Sequence, residues 1–148
     1  MGKKLKQQRD SVKINRLNIL EKRGGACEQH PAFSYQHLTT NKEYNFEYFK
    51  DKNERMRAQS AAIKRLEEIS ENEWKYWNTQ SKNVGLESIE YSGIYIIPKG
   101  IVLSPDQKIY VFRFCSQEYR ILGFRKESCP ILFIIGYDFA HNAYNHGK

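Results

Sequence analysis

Basic side chains interrupt the apolar runs in the last third of the chain. Arg113 lies inside an otherwise apolar run, Arg120 opens the next run, and Arg125 and Lys126 close it. Arginine forms paired, charge-assisted hydrogen bonds to phosphate oxygens, so this set suits recognition of a phosphodiester. If these runs are strands of a twisted sheet, alternate residues of one face converge, which would place Arg113 and Arg120 on one concave surface.

The C-terminal segment GYDFAHNAYNHGK adds side chains that can move a proton, among them Tyr144 and His146. A histidine or tyrosine beside several guanidinium groups supplies a base or a proton donor, together with cations that stabilise a phosphorane. Cleavage of RNA by its own 2′-hydroxyl needs those parts and does not require a metal. We therefore expect a catalytic set with no metal and no cofactor, in which Arg113 and Arg120 stabilise the charge on phosphate and Tyr144 or His146 transfers the proton.

Length and cysteine content exclude several classes of protein. The chain has 148 residues, a length typical of one domain. Cys27, Cys115 and Cys129 form no CxxC pair, so neither a disulfide framework nor a four-ligand zinc site is predicted. No apolar stretch approaches the roughly 18 residues that span a bilayer, and the N-terminus lacks the apolar segment of a secretory signal. We expect a cytoplasmic protein with no membrane partner.

Most of the positive charge lies at the N-terminus. The net charge is +7, and residues 1–23 supply +6 of it through eight basic and two acidic side chains. Gly24 and Gly25 form a natural hinge, which predicts a basic arm over residues 1–25 and a single domain over residues 26–148. Such an arm attracts phosphate through counterion release, or serves only as a solubilising segment. The candidate RNA contacts of the arm are Lys3, Lys4 and Lys6.

Helices are predicted to come first in the domain. Over residues 53–82, apolar residues recur three and four positions apart, which is typical of amphipathic helices. Either two helices joined near Ser70 or one unbroken helix fits this pattern. Lys64 and Arg65 fall on the polar face and are further candidates for RNA binding.

A sheet is predicted for the remainder of the domain. Turn signals separate short apolar runs over residues 94–146, and the strands are expected at Lys108–Cys115, Tyr119–Arg125 and Pro130–Tyr137. Their connections are short enough for antiparallel hairpins. Aromatic residues and turn formers over residues 30–49 also predict an extended segment or a hairpin before the helices, and the alternation of aromatic residues over 44–48 is typical of a strand. The predicted fold is α+β, with N-terminal helices packed on a strongly curved antiparallel sheet.

The run IYVFRF–SQ–EYRILGF–RKES–PILFIIGYDF resembles the RelE/HigB-type toxins of bacterial toxin–antitoxin systems, mainly over residues 110–146. This resemblance implies two helices beside a curved sheet. It also implies a metal-independent endoribonuclease that cuts mRNA in the ribosomal A-site, with an antitoxin protein as its partner. By position, Arg113 and Arg120 match the paired arginines of the family, and Tyr144 and His146 match its terminal aromatic residue or histidine.

The sequence leaves two other functions open. The stretch FSYQHLTTNKEYNF looks like one in uncharacterised short proteins of low-GC bacteria and their mobile elements. A non-catalytic module of a mobile element would use the same scaffold to hold nucleic acid or a protein. An adaptor that binds only protein would have no affinity for RNA at physiological salt.

Overall fold

The computed structural model describes residues 29–79 and 85–145, so the predicted arm over residues 1–25 and its three lysines lie outside the described residues, as does His146. Within these residues, two α-helices and five strands follow in chain order: β1 (Ala32–Ser34), α1 (Lys52–Ser70), α2 (Trp74–Asn78), β2 (Leu86–Glu90), β3 (Lys108–Phe114), β4 (Tyr119–Phe124) and β5 (Ile131–Asp138). The same part of the chain has three single-turn 3₁₀ helices, at Lys42–Tyr44, Phe46–Tyr48 and Tyr91–Gly93.

The strands form one sheet in the order β1-β5-β4-β3-β2. Neighbours are antiparallel except β1, which runs parallel to β5. The α+β class is confirmed, whereas the prediction of a purely antiparallel sheet is wrong. A parallel pair needs a long crossover between its strands, and the helices and three strands between β1 and β5 provide it. The strands that follow the helices also begin earlier than predicted, because β2 starts at Leu86 rather than near residue 94.

The helical region is two helices, and the alternative of one unbroken helix is wrong. The side chain of Asp51 accepts a hydrogen bond from the Glu54 amide (3.0 Å) and starts α1. The helix ends at Ser70, whose hydroxyl donates to the carbonyl of Glu67 (2.7 Å). Across residues 29–79 and 85–145, no helix is long and apolar enough to cross a membrane.

The extended segment predicted over residues 44–48 is wrong as well. Asn41 accepts a hydrogen bond from the Glu43 amide (3.0 Å), and Asn45 accepts one from the Glu47 amide (2.9 Å). These side-chain bonds stabilise local turns in competition with a strand, and each asparagine precedes one 3₁₀ turn. The first turn carries Tyr44 to the sheet face away from the helices, and the second carries Phe46 to the helix-covered face.

Apolar residues cover both faces of the sheet. Facing the helices, Trp74 and Trp77 pack with Phe112 and Ile134 in one cluster. On the opposite face a second cluster is covered by residues 91–107 and the C-terminal segment. Burial on both faces explains why the strands are nearly continuous in apolar residues. It also confines charged side chains to the strand ends.

Gly123 gives a direct test of this packing. A Cβ there would lie 2.8 Å from the carbonyl oxygen of Phe133 and 2.9 Å from Cγ of Leu132, both on the neighbouring strand β5. We expect Gly123→Ala to lower the free energy of unfolding by about 1–3 kcal/mol in urea denaturation. Gly93→Ala is the control, because its Cβ would meet only the Ile89 side chain, at 3.6 Å. Equal midpoints for the two variants would contradict the packing.

Candidate nucleic-acid interface

An open cleft of about 460 Å³ lies between α1 and the turn that joins β3 to β4. We call it the cationic cleft and define it by Lys64, Arg65, Glu68, Arg113 and Gln117. The helix residues lie within one turn of each other, so they line the same face of α1. Three cations and one carboxylate line the cleft, and this balance favours an anionic ligand.

Arg65 is held in place by its surroundings. Its Nη1 donates to Glu68 Oε2 at 3.1 Å, and its guanidinium lies 5.6 Å from the centre of the Trp77 ring. Trp77 is itself anchored, since its Nε1 donates to the carbonyl of Ile69 at 2.8 Å. A guanidinium positioned in this way loses little conformational freedom when it binds a phosphate.

Gly85 brings the second arginine close to the first. Its φ is +82°, and its carbonyl accepts a hydrogen bond from the Arg113 amide at 2.8 Å. A Cβ at this position would lie 3.1 Å from Arg65 Nη2 and 3.5 Å from Cβ of Arg113. The absence of a side chain therefore leaves room for both arginines at one wall of the cleft.

The β3–β4 turn that forms the other wall has an uncommon backbone. Cys115, Ser116 and Gln117 have φ values of 52°, 53° and 67°, all in the left-handed region. Each such residue costs about 1–3 kcal/mol unless it is glycine, and residues of this kind cluster at ligand sites. The turn directs Gln117 toward Arg113, whose Nη1 lies 3.4 Å from Oε1 of that glutamine.

Arg120 lies beside the cleft but is not open to it. It pairs directly with Arg113 on β3 and with Asp138 on β5, so the three side chains share one face of the sheet. Only 7% of Arg120 is exposed. Its Nη1 donates to the carbonyls of Gln117 (2.5 Å) and Tyr119 (3.3 Å), which tie the guanidinium to the strained turn.

Tyr144 is also buried. We call Arg120, Asp138 and Tyr144 the buried polar row. The Tyr144 hydroxyl donates to Glu87 Oε1 at 2.6 Å. Burial, and then the bond to Glu87, raise the pKa of Tyr144 above its ordinary value, while Arg120 opposes that shift. The phenol therefore stays protonated at neutral pH and is poorly suited to act as a base.

The predicted site residues fall into three groups. Lys64, Arg65 and Arg113 meet in the cationic cleft. Arg120 and Tyr144 lie in the buried polar row. Arg125 and Lys126 form the third group, near the opposite end of β4. The Arg125 guanidinium donates to the Cys129 carbonyl (3.2 Å) and lies 4.0 Å from the Trp74 ring centre. Lys126 Nζ lies 4.7 Å from the Phe133 ring centre.

Two cleft residues were missed by sequence reasoning. Glu68 could have been predicted from the sequence, because it follows Lys64 by four positions on a helix and this spacing places both side chains on one face. Gln117 could not have been predicted, because its orientation comes from the left-handed turn. Cys115 and Cys129 are free thiols, as expected from their spacing.

Comparison of the chain with protein families, with curated proteins and with solved structures gives no match. Function must therefore be inferred from the charges and contacts of the molecule and from the resemblance over residues 110–146.

Tyr144→Phe tests the buried polar row. The change removes the donor to Glu87 while keeping the ring, and we expect the free energy of unfolding at pH 7 to fall by about 1–2 kcal/mol in urea denaturation. Tyr95→Phe is the control, because Tyr95 is largely exposed and its loss should change stability by less than about 0.5 kcal/mol.

The same variant has a signature in alkaline solution. The folded pKa of Tyr144 lies above the ordinary value of 10.0, so the folded state keeps a proton that the unfolded state loses above pH 10. Wild-type stability should therefore fall more steeply from pH 10 to about pH 12 than that of Tyr144→Phe, by up to about 1.4 kcal/mol per pH unit. Parallel curves would contradict the raised pKa.

Proposed function

We propose that the chain binds single-stranded RNA and holds its phosphate groups in the cationic cleft. The observation that carries this proposal is the convergence of Lys64, Arg65 and Arg113 on one open cleft. Lysine supplies a mobile point charge, and the two arginines supply fixed, planar donors for phosphate oxygens. The basic arm adds charge that would raise the local concentration of RNA.

We propose a RelE-like module in the cytoplasm as the setting for this function, and the order of elements supports the RelE-like module. Helices α1 and α2 precede β2 to β5, and the three strands β3, β4 and β5 are consecutive antiparallel neighbours. Arg113 and Arg120, which match the paired arginines of the toxins, lie directly opposite each other. Strand β1 and the 3₁₀ turns lie outside the resembling segment, residues 110–146, and are features of this chain.

Charge reversal at Lys64 tests RNA binding in the full chain. We expect Lys64→Glu to raise the Kd for an unstructured oligoribonucleotide roughly tenfold and to reduce the salt slope of log K by about 0.7, the value for one lost phosphate contact on a single strand. Fluorescence anisotropy across a salt series measures both quantities. Lys42→Glu makes the same change in net charge at an exposed lysine that does not line the cleft.

Equal effects of the two substitutions would show that only net charge matters and would contradict a defined cleft. No RNA affinity at physiological salt in the wild type would instead favour an adaptor that binds only protein.

Endoribonuclease activity on mRNA at the ribosome is the second candidate function. The two arginines that line the cleft, Arg65 and Arg113, favour it, because two cations beside one phosphodiester can stabilise the charge that develops during cleavage. Burial of Arg120 and the bond from Tyr144 to Glu87 weigh against direct chemistry by those two side chains in this conformation. The proposed partners under this reading are mRNA, the ribosome and an antitoxin protein.

Controlled expression in a bacterial host, with primer extension on a translated reporter mRNA, tests cleavage. An endoribonuclease should arrest growth and produce codon-positioned cuts that disappear in Arg113→Ala and persist in Lys42→Ala. Cuts that survive Arg113→Ala would remove the cleft from the reaction. Healthy cells with intact mRNA would exclude the cleavage function and leave RNA binding as the activity.

A further inference from the structure

A second groove, of about 590 Å³, opens on the other side of the β3–β4 turn. We call it the aromatic groove and define it by Tyr48, Phe49, Tyr119 and Phe139, which line it. Helix α1 contributes to this groove as it does to the cationic cleft, and Cys115 lines both. The two depressions therefore meet at the turn.

The aromatic rings form an ordered platform. Tyr48 stacks on Phe139 with ring centres 5.6 Å apart and planes 25° apart, and Tyr119 packs its edge against Phe139 at 5.1 Å. Phe49 packs against Phe139 at 4.7 Å. Tyr48 nevertheless remains 40% exposed while lining the groove, so part of its surface is available to a ligand.

The charges at the aromatic groove differ from those of the cationic cleft. Lys50 and Arg57 are balanced here by Glu54 and Glu118, so the groove has no net charge. A neutral, aromatic-lined groove suits a planar heterocycle better than a phosphate, and the carboxylates supply acceptors for exocyclic amino groups. The cationic cleft, which is lined by three cations and one carboxylate, suits a phosphate better than a neutral heterocycle.

The two sites lie along one face of a single helix. Glu54, Arg57, Ala58, Ala61, Lys64, Arg65 and Glu68 follow each other at spacings of one or three residues. From Glu54 to Glu68 this stripe is about 21 Å long at 1.5 Å per residue. A strand of nucleic acid can therefore contact both sites by following α1.

We propose that the aromatic groove is a nucleobase site, in which a base of the bound RNA strand stacks on Tyr48 while neighbouring phosphates occupy the cationic cleft. This inference rests on the proposed RNA binding and extends it, because it makes unpaired bases part of what is recognised. Stacking on an aromatic side chain accepts any base, so the site adds affinity without a strict sequence requirement. Tyr48 and Phe49 come before α1, outside the segment that resembles the toxins, whereas Tyr119 and Phe139 lie inside that segment.

Tyr48→Ala, measured by fluorescence anisotropy in the full chain, tests the nucleobase site. We expect the Kd for an unstructured oligoribonucleotide to rise roughly five- to hundredfold, with the salt slope unchanged because no phosphate contact is lost. Tyr48→Phe keeps the ring and should bind as the wild type does. Tyr95→Ala is the matched control, because Tyr95 is 64% exposed and lines neither the groove nor the cleft.

A ligand of the same length made of abasic ribose-phosphate units completes the test. The wild type should bind the abasic ligand as weakly as Tyr48→Ala binds the intact strand. Tyr48→Ala should bind the abasic ligand no more weakly than the wild type does. If Lys64→Glu lowers affinity but Tyr48→Ala behaves like Tyr95→Ala, the nucleobase site is wrong and the cleft stands. If neither Lys64→Glu nor Tyr48→Ala differs from its control, the proposed RNA binding fails as well.

Discussion

The antiparallel register of β3, β4 and β5 is the constraint on which the rest of the structure depends. It places Arg113, Arg120 and Asp138 on one rung at the end of the sheet, where Arg120 and Asp138 are buried and Arg113 is half-buried. A charge in the middle of these strands would be buried on either side at high cost. At the strand ends, one arginine opens to the cationic cleft and the other is buried against backbone carbonyls.

The same register explains the strained turn. Gln117 must offer its carbonyl to Arg120 and its side chain to Arg113, and the left-handed conformation of residues 115–117 allows both. Backbone strain of this kind persists only when surrounding contacts compensate for it. The turn also separates the cationic cleft from the aromatic groove, so one short connection shapes two adjacent surfaces of different chemistry.

Local patterns allowed the strands that carry the arginines to be predicted within about a residue at each end, because apolar runs between turn signals are reliable where both sheet faces are buried. The pairing of Arg113 with Arg120 followed from those strands. The burial of Arg120 could not be predicted from those strands, since it depends on the C-terminal segment folding back over the sheet. Strand β1 lies within the extended segment predicted over residues 30–49, but its parallel pairing with β5 was not predicted, because three residues give no local sign of a partner strand almost a hundred positions away.

The most direct test of RNA binding in the cationic cleft is an NMR titration of the labelled full chain with a short unstructured oligoribonucleotide. The amides of residues 61–68 and 113–117 should show the largest chemical-shift changes, because ligand phosphates would contact both walls of the cleft. Saturable changes confined to residues 1–25, or to the exposed segment 95–102 on the far side of the sheet, would place the ligand elsewhere and contradict the account.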